Sequence, residues 1–192
     1  VSEQQREMLE QLDEMQQQLT STWIDYWSQY SDLSTWQFWV LLLMLVVPLI
    51  IFFVCLDKRR ALQIGFYGLC VHMIFSYIDA TSIRLGYGQY PYQLLPIVTG
   101  NLGLDTSFVP VTYILMYQWT IRNGRNYYVY GTVLSLLLAF VFKPVMSAIG
   151  LFDVTNGMRY YHLFIGYMCI MLVSKWIVSL FIWLQRKGGN PV

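Results

Sequence analysis

The run VLLLMLVVPLIIFFV, residues 40–54, carries no charge and breaks its apolar sequence only at Pro48. With its flanks it reaches from about Trp36 to Leu56, close to the roughly 20 residues that carry a helix across a ~30 Å hydrocarbon core. Backbone amides in lipid find no water, so a run of this kind has to satisfy them internally as a helix. Pro48 is expected to kink it. Four further apolar segments follow, at about 61–83, 106–121, 127–149 and 160–184, of which 106–121 is a little short. Over the 192 residues, 56% are hydrophobic and only 12% are charged, against about 25% charged in a soluble domain. That balance excludes a disordered chain, a nucleic-acid binder and an ordinary cytosolic enzyme. It predicts an all-α membrane protein, a bundle of about five transmembrane helices.

The stretch ahead of the first apolar run has a different character. Residues 3–33 contain no Gly or Pro and place Met8, Leu12, Met15, Leu19, Trp23, Tyr26, Tyr30 and Leu33 at steps of three and four. This spacing predicts one long amphipathic helix with a single apolar stripe. The stripe has to be covered by a second copy, by the rest of the chain, by another protein or by the membrane interface. An interfacial helix on anionic lipid is rich in Lys and Arg. This one is acidic, with seven acids and only Arg6 as a base in residues 1–35. The stripe, represented by Met8, Leu12, Met15, Leu19, Trp23 and Tyr26, is therefore the candidate assembly surface. The acidic, Gln-rich opening does not read as a signal peptide, and Val1 in place of Met reads as a trimmed start.

The remaining residues hold eleven bases and four acids, and the positions of the bases predict topology. Lys58, Arg59 and Arg60 follow the first segment, Arg122 and Arg125 the third, and Arg186 and Lys187 the fifth. With five spans these seven share one side, and only Arg6, Arg84 and Arg159 fall on the other. The positive-inside rule then puts the N-terminal helix outside and the C-terminus, with a short tail at 188–192, in the cytoplasm. Residues 86–105 are too broken by Gly and Pro to span and too apolar near their end for a solvated loop. They are expected to form a re-entrant or interfacial segment on the outer side.

Ionisable side chains inside membrane segments are costly and point to function or to a structural pair. His72, Ser76 and Asp79 share one helix face by their spacing, and Arg84 ends that helix. Asp105 opens the third segment and Lys143 lies in the fourth. Two readings stand. In one, Asp79, Arg84, Asp105, Lys143 and His72 line an outward-facing polar pocket between the second, third and fourth spans. In the other, Asp79 pairs with Lys143, Asp105 caps its helix and Arg84 snorkels to the interface. His72 more simply bonds across helices than relays protons. Lys175 has no acid predicted at its depth; snorkelling inward, a deprotonated amine, an acid from a partner protein, and contact with Gln118 in an inner polar site all stand as readings.

Cys55, Cys70 and Cys169 sit in apolar runs without metal-ligand spacing, so neither a disulfide framework nor a zinc site is expected. There is no phosphate loop, nucleophile elbow or HExxH. No cofactor, metal or catalytic residue is assigned. No internal repeat is apparent, which weakens an inverted-repeat transporter.

Taken together, Asp79, Arg84, Tyr90-Pro91, Leu94-Leu95-Pro96, Asp105, Pro110 and Tyr117-Gln118-Trp119 resemble an uncharacterised family of small, mostly five-span membrane proteins of spore-forming Gram-positive bacteria. The resemblance covers roughly residues 40–185, and the long acidic N-terminal helix departs from it. It implies a bacterial plasma membrane and an outer-side motif region, and it implies no activity. The expected function is a non-enzymatic membrane component that assembles with itself or with a membrane partner through the N-terminal helix. The alternative is a small-solute or ion carrier, or a ligand receptor.

Overall fold

A computed structural model describes residues 1–188; of the expected tail at 188–192, all but Gly188 lies outside the described residues. Helix α1 (Glu3–Tyr30) opens on Ser2, whose hydroxyl accepts the Gln5 N–H at 3.2 Å, the usual way of satisfying a free amide in a first turn. Its 28 residues make a rod about 42 Å long at 1.5 Å per residue. None of them is buried. The helix meets the rest of the chain at its last turn. There the Trp27 indole N–H donates to the Gln93 carbonyl at 2.9 Å, and Ser31 exchanges two hydrogen bonds with the Gln93 backbone. The turn that follows is built on Asp32, whose carboxylate accepts both the backbone N–H and the hydroxyl of Ser34. Those two bonds, the hydroxyl's first, hold the exposed Asp32 carboxyl below the usual carboxylate range.

Five helical rods follow: α2 (Trp36–Cys55), α3 (Ala61–Arg84), α4 (Val109–Arg122), α5 (Tyr127–Leu137) running into α6 (Lys143–Ala148), and α7 (Tyr160–Lys187). Four stretches are long and apolar enough to cross a membrane, namely Trp36–Cys55, Lys58–Arg84, Tyr127–Ala148 and Tyr160–Lys187. The segment expected at 106–121 is not among them. Its α-helical part covers 14 residues, but a π-helical turn, Leu104–Phe108, runs straight into it. A second π turn, Leu138–Phe142, joins α5 to α6. Helix α2 continues through Pro48.

Packing explains why the third segment is less apolar than the others. Helices α3, α4, α5 and α7 form a closed ring in which each touches two neighbours, and α2 lies outside it against α4 and the first π turn. Half of α4 is buried by protein, including Val109, Tyr113, Ile114, Tyr117 and Thr120, so its outer surface need not be uniformly greasy. By contrast α2 buries only Phe38, Leu41 and Pro48, which fits its unbroken apolar sequence. Small residues set two of the ring contacts, as is common where helices pack without a hydrophobic drive from water. A Cβ on Gly68 of α3 would overlap the Ile114 side chain of α4, and one on Gly131 of α5 would overlap Met171 of α7.

The ring has two unlike ends. One carries Lys58–Arg60 and Arg186, which with Phe66 and Phe181 line an open groove of about 1300 Å³. The other is roofed by residues 85–103. That roof contains a feature the sequence pattern did not announce. Strand β1 (Gly88–Gln89) pairs antiparallel with β2 (Asp153–Val154), stitching the roof to the α6–α7 connection. Tyr90, Leu94, Gly100 and Asn101 are buried in it.

Gly68→Val should drive two methyl groups into Ile114 and cost about 1–3 kcal/mol, the usual range for overpacking. Thermal melting in detergent reads this, with the exposed-face control Leu62→Val unchanged. An unaltered Gly68→Val melt would show that the α3–α4 contact yields freely.

Candidate functional site

Two places in the molecule stand out chemically. The first is the stripe on α1. Met8, Leu12, Met15 and Leu19 are each more than half exposed, Tyr26 is 37% exposed, and Trp23 is partly covered. The chain leaves its own apolar stripe uncovered.

The second is a buried charged network beneath the roof. Lys143, only 1% exposed, follows immediately on the second π turn. Asp105 lies inside the first and is 7% exposed. The last residues of the two π turns touch, with Phe108 stacked on Phe142 at 4.5 Å between ring centroids. π turns displace one residue from helical register and recur at functional sites. Here one contains Asp105 and the other ends immediately before Lys143.

Tyr90, delivered by the residue after β1, joins the charges. The Lys143 ammonium donates to the Tyr90 hydroxyl at 2.8 Å, and that hydroxyl donates to Asp79 Oδ1 at 2.9 Å. Burial first, then the negative charge of Asp79 and Asp105, pushes the Tyr90 hydroxyl well above its ordinary range, so it keeps its proton as the bridge. The ammonium also lies 3.7 Å from the centroid of the Phe152 ring, a cation–π contact that shelters it further. Asp79 Oδ2 and Asp105 Oδ1 are buried without a hydrogen-bond partner. An atom at the Cβ position of Gly100 would sit 2.5 Å from Asp105 Oδ2 and 3.3 Å from Asp79 Oδ2. The two carboxylates therefore converge on one point.

A cavity of about 50 Å³ opens beside the network, lined by Asp79, Tyr90, Lys143, Phe152, His162 and Tyr167. At roughly 10–15 Å³ for each water, it holds a few waters. Its walls are α3, α7 and the roof, with Lys143 contributed by α6. The pocket expected between the second, third and fourth segments thus has the fifth as its wall instead, because α3 and α7 are neighbours in the ring.

The individual side chains divide clearly. Asp79, Asp105 and Lys143 come together, and Tyr90, quoted in the sequence only as part of the resemblance and not among the pocket residues, is the link between them. Arg84 does not join them; it ends α3 on the exposed surface. Nor does His72 reach Asp79. Its Nδ1 bonds the Asp105 backbone carbonyl at 2.7 Å, and since a carbonyl only accepts, that nitrogen carries the proton. Asp105 is not a helix cap either. Asn101 Oδ1 accepts the Leu104 N–H at 3.2 Å, because the helix starts earlier than the apolar pattern shows, leaving Asp105 inside it.

Gln118 and Lys175 also part company. Gln118 accepts from the Asp57 N–H and donates to the Cys55 carbonyl, fastening the α2–α3 connection. Lys175 stands over the rings of Tyr117 and Tyr127, at 5.0 Å and 5.4 Å from their centroids. Among the described residues no three His, Cys, Asp or Glu side chains gather as metal ligands, and all three cysteines are free. No protein-family model, curated protein or solved structure matches the chain.

Tyr90→Phe keeps the ring against Phe152 and removes the hydroxyl between Lys143 and Asp79. Leaving both buried groups short of a partner should cost about 1–3 kcal/mol, seen as a lower melting temperature, while Arg84→Gln melts like the wild type. Equal melts for Tyr90→Phe and wild type would show that the hydroxyl carries no load.

Proposed function

We propose that this chain is a five-span, non-enzymatic component of a bacterial plasma membrane that assembles with a second copy of itself through α1. The observation that carries this reading is the placement of charge on α1. Take Leu12 and Leu19 as a positions and Met8 and Met15 as d positions of a heptad. Glu3, Arg6, Glu7, Glu10, Asp13 and Glu14 then all fall at b, c or f, on the far side. The flanking e and g positions are Leu9, Gln11, Gln16 and Gln18, none of them charged. Two copies in one membrane present α1 in the same direction, so identical residues meet across a parallel seam. An acidic helix would ordinarily repel its own copy, yet here every acid points outward. The four-residue step from Leu19 to Trp23 shifts the register once, as a stutter does, and Asp25 stays on the outer face afterwards.

Five crossings are supported by the third helix. The π turn lengthens it, and its centre is buried among the other rods. With five crossings the seven clustered bases lie in the cytoplasm and α1 lies outside. The buried Asp79–Tyr90–Lys143 network favours a second reading, a carrier or receptor for a small solute or ion.

In a background with Cys55 and Cys169 changed to Ser, Met15→Cys should form a disulfide-linked dimer under mild oxidation in nanodiscs. Glu14→Cys, one residue round the helix, should not. Equal cross-linking of the two would remove the seam. Topology is read in whole cells by a membrane-impermeant maleimide: Ser21→Cys should label and Lys187→Cys should not. Labelling of both would place the termini on one side and rule out five crossings.

A further inference from the structure

We infer that Asp79 and Asp105 bind one small monovalent cation between them, over Gly100, with the proton as its competitor. The inference rests on reading the buried network as a ligand site and is independent of assembly through α1. Its basis is charge balance in a shielded place. Two carboxylates face one ammonium, and buried charge has to be matched locally. The other titratable groups facing the site are Tyr90, His72, His162 and Tyr167. Tyr90, from the roof, keeps its proton and donates a hydrogen bond to Asp79. His72, from α3, points its Nδ1 at a backbone carbonyl. From α7, His162 accepts the Arg159 N–H with its own Nδ1, and Tyr167 lines the cavity with its hydroxyl buried and unpartnered.

One unit of positive charge completes the balance, whereas a divalent ion would overshoot it. Two like charges converging on one point do not both remain ionised unless something positive joins them. A proton or a hard monovalent ion bound by oxygen does that. Asp79 Oδ2, which has no hydrogen-bond partner, and Asp105 Oδ2 are the oxygens that converge over Gly100, and Asp105 Oδ1 is the second unpartnered oxygen of the pair. Gly100 keeps the place open. Its φ is +103°, a conformation that favours glycine, and any Cβ there would stand against both carboxylates.

The test uses the full chain in nanodiscs of zwitterionic lipid. Binding of ²²Na⁺ is measured by scintillation proximity, and proton release is followed in weak buffer on adding NaCl, LiCl, KCl or choline chloride. The expected result is saturable binding of at least one of the small ions, with up to one proton released per ion and none for choline. Affinity should fall about tenfold for each unit by which the pH is lowered in the range where the carboxylates hold the proton. Asp79→Asn and Asp105→Asn should each abolish saturable binding while keeping a cooperative melt, and Gly100→Ala should weaken it at least tenfold without altering any charge. If the carboxamide variants do not fold, the wild type decides alone. Absence of both saturable binding and ion-specific proton release overturns the inference, as does binding that persists in folded Asp79→Asn. Saturable binding without flux into vesicles would sink the carrier reading and leave the site standing.

Discussion

A lysine ammonium removed from water has to be matched where it lies, and in this chain the position of Lys143 organises one whole end of the molecule. Its partner hydroxyl comes from Tyr90, so the roof must come down onto the ring. Tyr90 is placed by the two-residue pairing of β1 with β2, so the α6–α7 connection must rise to meet the roof. Phe152, just ahead of β2, closes the other side of the ammonium. The roof is fixed at its far edge by Gln93, the same residue that anchors the end of α1. From the second π turn to the root of α1, these contacts form one continuous chain, and none of them is local in sequence.

The ring interior solves a different problem. Its centre is built from tyrosines more than from leucines. Tyr67 stacks on Tyr117 at 4.1 Å and bonds the Tyr127 hydroxyl at 2.7 Å, and Tyr127 in turn donates to the Met171 carbonyl. Tyr113 meets Ser135 at 2.8 Å. In lipid, apolar packing alone gives helices little reason to prefer one another, since the surrounding chains are as apolar as Leu. Phenol rings supply area together with directed hydrogen bonds, so they fix which helix faces which. They also account for Lys175. With no acid at its level, its charge rests on the faces of Tyr117 and Tyr127.

This explains what the sequence made legible and what it did not. The apolar runs announced themselves, because lipid imposes one rule on every residue of α2, α3 and α7. The stripe on α1 was equally plain, since 3.6-residue periodicity is local. Asp79, Asp105 and Lys143 stood out by their cost in an apolar setting. Tyr90 had no such signal. One tyrosine among Tyr87, Tyr90 and Tyr92 in a Gly- and Pro-broken stretch has no period, and its role depends on a pairing partner over sixty residues away. The π turns were invisible for a related reason: a one-residue shift of helical register leaves no mark on the spacing of apolar residues. Residues 106–121 looked short because hydropathy records exposure to lipid, and this helix is covered by its neighbours instead.

The two candidate sites place opposite demands on the same chain. A self-pairing rod needs its charges turned away from the seam and exposed, and α1 leaves all of its residues outside the core. A buried ion site needs its charges enclosed by groups from several elements, and the network draws one from each of α3, the first π turn, the roof and α6. The shared point is Gln93, whose carbonyl holds Trp27 and Ser31 while its neighbour Leu94 packs on Phe38 and Leu41. A rigid α1 pair would therefore hold the roof of each copy from its outer edge, seven residues from Gly100 along the chain. Any ion that draws Asp79 and Asp105 together works on the other edge of that same roof. Coupling between the sites requires that the roof have two positions, and the junction that would have to yield is the two-residue β1–β2 pairing with the Thr155 and Asn156 bonds to Tyr87 and Gly86 beside it.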